Sequence, residues 1–198
     1  VDRLIDFSKI SGMRETVVVC AGGQGAKGIE HRDGLTVVRV PLPEIKEGAD
    51  EFSNHYSTYN RTALQEIAGS LIGVCQMVRQ DPRVKCVVIV GQGTAGPGAL
   101  MAAPAADAVA ADCGALDTSS DEALLAPGVF APGLRGIGGF EGAAMLAVGK
   151  PLLLHNTQGK LESGGIEAAY EAMDAEKRLV VTEVARSEEE ILRWAAQD

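Results

Sequence analysis

The stretch Val87-Val88-Ile89-Val90-Gly91-Gln92-Gly93-Thr94-Ala95-Gly96-Pro97-Gly98 reads as a strand, a tight turn and the start of a helix. A continuous β-branched run with no polar alternation predicts a strand buried on both faces, as parallel strands are. Runs of this kind recur on either side, at Thr16–Cys20, Leu35–Val40, Cys86–Val90, Ala108–Asp112, Pro151–His155 and Leu179–Val184. Between them lie helical patterns. From Thr62 to Arg79 the residues Leu64, Ile67, Ala68, Leu71, Cys75 and Val78 keep the spacing of one helix face. A helix is expected after Gly96, ended or kinked by Pro104, and two more at Phe140–Val148 and Ile166–Met173. The last opens with the capping box Ser187-Glu188-Glu189-Glu190 and should bury Ile191, Leu192 and Trp194. Alternating strands and helices predict one α/β domain over residues 1–198, a mostly parallel sheet with helices on both faces. Pro41–Asn60 and Cys113–Gly139 read as long irregular loops, the kind that bind or cover ligands.

Composition narrows the function. The chain has 198 residues, 27 acidic and 18 basic, for a formal charge of −9. Apolar residues make up 46%, enough for a core and too many for disorder. An acidic surface cannot supply the phosphate-neutralising charges of nucleic-acid binding, so that partner is not expected. No apolar run approaches the ~20 residues that span a bilayer, so no membrane partner is expected. Cys20, Cys75, Cys86 and Cys113 form no CxxC and stand near no histidine, so no metal site is expected. They read as buried reduced thiols, which leans toward a cytoplasm-like compartment. No leader precedes the first strand, so a signal peptide is expected to be absent or removed, and the opening Val1 suggests a processed chain or excised domain.

The glycine turn suits two chemistries. Gly91, Gly93 and Gly96 spell GxGxxG between strand and helix, where a pyrophosphate could approach the backbone, and Asp112 stands where a ribose hydroxyl would be read. The fingerprint normally occupies the first strand–helix unit, and here it follows the third strand. The same turn fits a nucleophile elbow, in which small residues flank a nucleophile held in a strained position. Its central residue is then Gly93, which has nothing to attack with.

Tyr59-Asn60-Arg61-Thr62, the elbow Val90–Pro97 and Leu152-Leu153-Leu154-His155-Asn156-Thr157 resemble the α/β-hydrolase domain of acetyl xylan esterase-like proteins. The resemblance is closest to large bacterial members whose elbow has the form Gly-x-Gly-x-Ala-Gly-Pro without serine, and it covers roughly Phe52 to Asp198. Val17–Gly23 is similar to the strand and His-Gly-Gly turn that supplies an oxyanion amide, with Ala21 in the histidine's place. The resemblance implies an α/β-hydrolase-like fold, the first strands missing or supplied elsewhere. It also implies an acid after Pro151–His155, where Asn156, Thr157, Gln158 and Gly159 stand, and a base after Leu179–Val184, where Ala185, Arg186 and Ser187 stand. No histidine follows His155. All three triad places are vacant.

On this reading no catalytic residue is assigned. The amides of Thr94 and of Gly22 or Gly23 would keep the oxyanion geometry, in a ligand pocket walled by Gly22, Gly23, Gln92, Gly93, Thr94 and His155. The pocket would take a small anion or an ester, with no cofactor. His31 and His55 read as solvated loop residues, Ser119-Ser120-Asp121-Glu122 as a helix cap, and Glu188–Glu190 as a solvated helix end. The leading expectation is a degenerate hydrolase-like module that binds a ligand, meets a partner domain or second copy, or completes a larger esterase. The alternatives are an active carboxylesterase on acetylated carbohydrate with a non-standard nucleophile, and a dinucleotide-binding protein.

Overall fold

A computed structural model describes residues 12–23, 28–42, 61–118, 120, 122–126 and 128–197. His55, the Tyr59-Asn60 pair, residues 43–60 of the first irregular stretch, and Ser119 and Asp121 lie outside them. Among the described residues seven strands form one sheet: β1 (Thr16–Ala21), β2 (Gly28–Arg32), β3 (Leu35–Val40), β4 (Cys86–Gly91), β5 (Ala108–Asp112), β6 (Leu152–His155) and β7 (Leu179–Val181). Their order across the sheet is β2-β3-β1-β4-β5-β6-β7, and every pairing except β2–β3 is parallel.

Alternation along each strand splits the core in two, so successive apolar residues serve opposite faces of the sheet. Val17, Val19, Ile89, Val109, Leu152 and Leu154 face one side. There α1 (Ala63–Val78), α2 (Gly96–Met101), α3 (Gly139–Met145) and α4 (Gly164–Glu171) cover them. Val18, Val37, Val88, Val90, Ala110 and Leu153 face the other side, against Ile191, Leu192 and Ala195 of α5 (Glu188–Ala195). Trp194 is half-buried at the margin of that second cluster. Helices therefore lie on both faces.

Local signals place the helix ends. Thr62 caps α1 and Ser187 caps α5, each through a full capping box. α2 ends at Met101, and Pro104 lies in the 3₁₀ turn Ala103–Ala105 that follows.

Two readings are corrected. His31 is exposed as expected, but it lies in strand β2 rather than a loop. β2, which falls between β1 and β3 in the chain, is an antiparallel edge strand joined to β3 through Asp33 (φ 52°) and Gly34 (φ 83°). Two left-handed residues in a two-residue loop match strand twist, and Asp-Gly is the pair that adopts them. β7 ends at Val181 rather than Val184, because β6, its neighbour among the described strands, stops at His155. Past that point Val184 is 69% exposed.

Candidate functional site

The C-terminal ends of β1, β4, β5 and β6 meet at the turn after β4. Register sets Ala21 beside Gly91, Gly91 beside Ala111, and Asp112 beside His155. Gln92 is extended, and Gly93 takes φ +56° and opens the short 3₁₀ turn Gly93–Ala95 that leads into α2. That left-handed φ strains any residue with a side chain, as the elbow reading requires. Gly93 and Thr94 are exposed, and no described residue stands within 4 Å of where a Cβ on Gly93 would lie. Among the described residues the apex is empty of side chain.

The other glycines of the turn are fixed by packing. A Cβ on Gly91 would strike the Ala95 carbonyl, one on Gly96 the Asp112 carbonyl, and one on Gly98 the Ile67 side chain. A Cβ on Gly22 would strike the Gln92 carbonyl and one on Gly23 the Gln92 side-chain oxygen. The turn after β1 and the elbow therefore touch backbone to backbone, and the Gln92 N–H donates to the Ala21 carbonyl at 2.9 Å. Gly22, Gly23 and Gln92 are in direct contact, with Gly93 and Thr94 following in the same turn.

Asp112 ties the elbow to β6. Its Oδ2 accepts the Gly93 N–H at 3.1 Å, and its Oδ1 accepts the Gly114 N–H at 2.9 Å and the Asn156 side-chain amide at 2.8 Å. Asn156 sits at φ +59° and Gln158 at φ +51°, so the loop after β6 is held in a sparsely populated backbone. Asn156 accepts a further bond from the Gln158 amide at 3.1 Å.

His155 is the sequence candidate that lies deepest. It is 1% exposed, on the α5 side of the sheet. Its Nδ1 accepts the Arg186 N–H at 3.3 Å, so the neutral ring carries its proton on Nε2. Among the described residues Nε2 is the one buried side-chain polar atom without a partner. Burial lowers the ring's pKa below its ordinary value, and Arg186 adds to this against the opposing charges of Asp112 and Glu190.

The acidic run opening α5 does more than meet solvent. Glu188 holds Arg39 of β3 at 2.6 Å, and Glu189 holds Arg32 of β2 at 3.0 Å. Glu190 accepts from the Ser187 N–H at 2.8 Å, and that bond leads the lowering of its pKa to about 2. Ser120 accepts the Ala123 N–H at 3.2 Å, but the element that follows is the short 3₁₀ turn Ala123–Leu125, whose cap residue is Glu122. The thiols of Cys20, Cys75 and Cys113 are buried and pushed up to about 12, chiefly by desolvation, so they are poor nucleophiles. Past Cys113, part of the second irregular stretch surrounds an apolar cavity of about 290 Å³ lined by Leu124, Val129, Phe130, Leu134 and Phe140. No group of three or more His, Cys, Asp or Glu that could hold a metal is found among the described residues.

Comparisons agree with the architecture. The fold is similar to a glucuronoyl esterase of carbohydrate esterase family 15 from Caldicellulosiruptor kristjansonii, with TM-score 0.60 and 12% identity over 90% of this chain. It is similar to a protein assigned as an acetyl xylan esterase from Bacteroides fragilis NCTC 9343, with TM-score 0.60 and 10% identity over 86%. It is also similar to a methylesterase, with TM-score 0.53 and 14% identity over 95%. The chain spans 66%, 59% and 48% of these three structures. No protein-family model and no curated protein matches the sequence. The likeness is one of fold: an α/β-hydrolase-like, mostly parallel sheet with helices on both faces.

Proposed function

We propose that this chain is an α/β-hydrolase-like module related to acetyl xylan esterases that has lost hydrolysis and acts in ligand binding or as part of a larger esterase. One observation carries the reading. The turn has a left-handed apex with no described atom within 4 Å of a Cβ there, yet the apical residue is Gly93. A serine relay needs a nucleophile hydrogen-bonded to a base that is itself oriented by an acid. Here His155 is buried with Nδ1 engaged by the Arg186 backbone, and Asn156 stands in the loop where an acid is needed.

The ligand would sit over Gly22, Gly23, Gln92, Gly93 and Thr94. The Asp112 carboxylate already takes the Gly93 N–H, so negative charge is present at the turn. That charge favours an ester or another neutral carbonyl over a free anion. It also weighs against a dinucleotide, whose pyrophosphate would meet a carboxylate at the loop meant to cradle it.

Labelling with a serine-directed phosphonate tests the loss of hydrolysis. The expected mass spectrum of the intact chain shows no adduct. A stoichiometric adduct, on Thr94 or any serine, would make the chain an active carboxylesterase with a non-standard nucleophile.

A further inference from the structure

Helix α5 and edge strand β7 leave a recess of about 220 Å³ between them, and it shares no lining residue with the elbow turn. Leu153 and Val180 form its floor, and Trp194, Arg193 and Gln197 rise from α5 and its end. The Arg186–Glu190 ion pair, at 3.1 Å, closes one side. We propose that this recess binds a small carboxylate with a flat apolar face, of the aromatic-acid class.

Size, shape and charge agree on that class. A volume of 220 Å³ lies below the roughly 300–1,000 Å³ of drug-sized sites, so the occupant is about one ring with a substituent. The indole of Trp194 and the aliphatic floor favour a flat apolar partner, because aromatic faces stack in offset pairs. The described lining side chains carry two guanidinium groups and one carboxylate, a surplus of one positive charge among them on an acidic protein. Glu190 engages Arg186, whereas Arg193 is exposed and makes no ion pair or hydrogen bond among the described residues. A planar guanidinium on a pocket wall matches a carboxylate bidentately. The Gln197 amide can donate to the same group.

Trp194 is the chain's single tryptophan, so indole emission reports on this site alone. Titrating the whole chain with benzoate, and with benzyl alcohol as the uncharged control, tests the proposal. Benzoate is expected to change the emission saturably, and benzyl alcohol is not. Arg193→Gln should weaken benzoate binding roughly tenfold or more, the loss of a charge-assisted bond. The fold should survive, because Arg193 is exposed and unpaired among the described residues. Ligand-observed NMR on the same samples detects benzoate if the indole is insensitive to it. Absence of binding by both readouts, an equal response to benzyl alcohol, or unchanged affinity in Arg193→Gln would each overturn the assignment.

Discussion

Gly93 donates its backbone N–H to the Asp112 carboxylate at 3.1 Å, 19 residues further along the chain. The bond joins the apex of the β4 turn to the end of the neighbouring strand. The same carboxylate also holds the Gly114 N–H and the Asn156 amide, so one side chain fixes three segments.

Removing that clamp should be costly. Asp112→Ala leaves three donors without their acceptor, and Asp112→Asn turns an NH₂ toward one of them. Both variants are expected to lose about 1–3 kcal/mol, the range for stranded hydrogen-bonding groups. Urea unfolding of the variants beside the parent chain checks this. A change within a few tenths of a kcal/mol would mean that water replaces the carboxylate.

Alanine at two glycines should separate conformation from packing. Gly93→Ala meets no described atom within 4 Å, so its expected cost is that of the left-handed φ, about 1–2 kcal/mol. Gly96→Ala drives a methyl into the Asp112 carbonyl, so α2 or β5 must move. Gly96→Ala is therefore expected to be the more destabilising by a clear margin in chemical denaturation. The reverse order would contradict the packing described for the turn.

Acid should weaken the fold through His155 before it does so through the carboxylates. The folded ring has a lowered pKa, so between its unfolded and folded values the unfolded chain binds a proton that the folded chain refuses. Stability is then full above about pH 6.5, the ordinary histidine value, and falls as pH drops toward the folded pKa. Glu188 and Glu190 also have lowered pKa values, but their losses begin lower, near the ordinary value of about 4.3. Unfolding free energies between about pH 7 and pH 5 should therefore slope downward in the parent chain and flatten in His155→Gln. An equal slope in both would assign the acid sensitivity elsewhere.

What was legible in the sequence was what depends on neighbours in the chain. Val87–Val90 announces a doubly buried strand because both faces of β4 are covered by helices. The frame Gly91–Ala95 announces a tight turn, and Ser187 with Glu190 announces a helix start. β2 was hidden because Gly-Ile-Glu-His-Arg is a half-exposed edge strand without an apolar run, although Asp33-Gly34 carried the hairpin signal. The partners of Glu188 and Glu189 lie 149 and 157 residues away, beyond any local pattern. Asp112 was visible as an acid at the end of a strand. Its engagement with Gly93 depends on strand order, which spacing alone does not give.

Hydrolysis of a small activated acetyl ester by the purified chain, measured beside Gly93→Ser, tests the central claim most directly. The serine variant meets no described atom at the apex, and His155 at the end of β6 is buried with its Nδ1 engaged by the Arg186 N–H, so both proteins are expected to match the buffer rate. Turnover by the unmodified chain of roughly 1 s⁻¹ or more, retained through repurification, would show a working nucleophile and contradict the account.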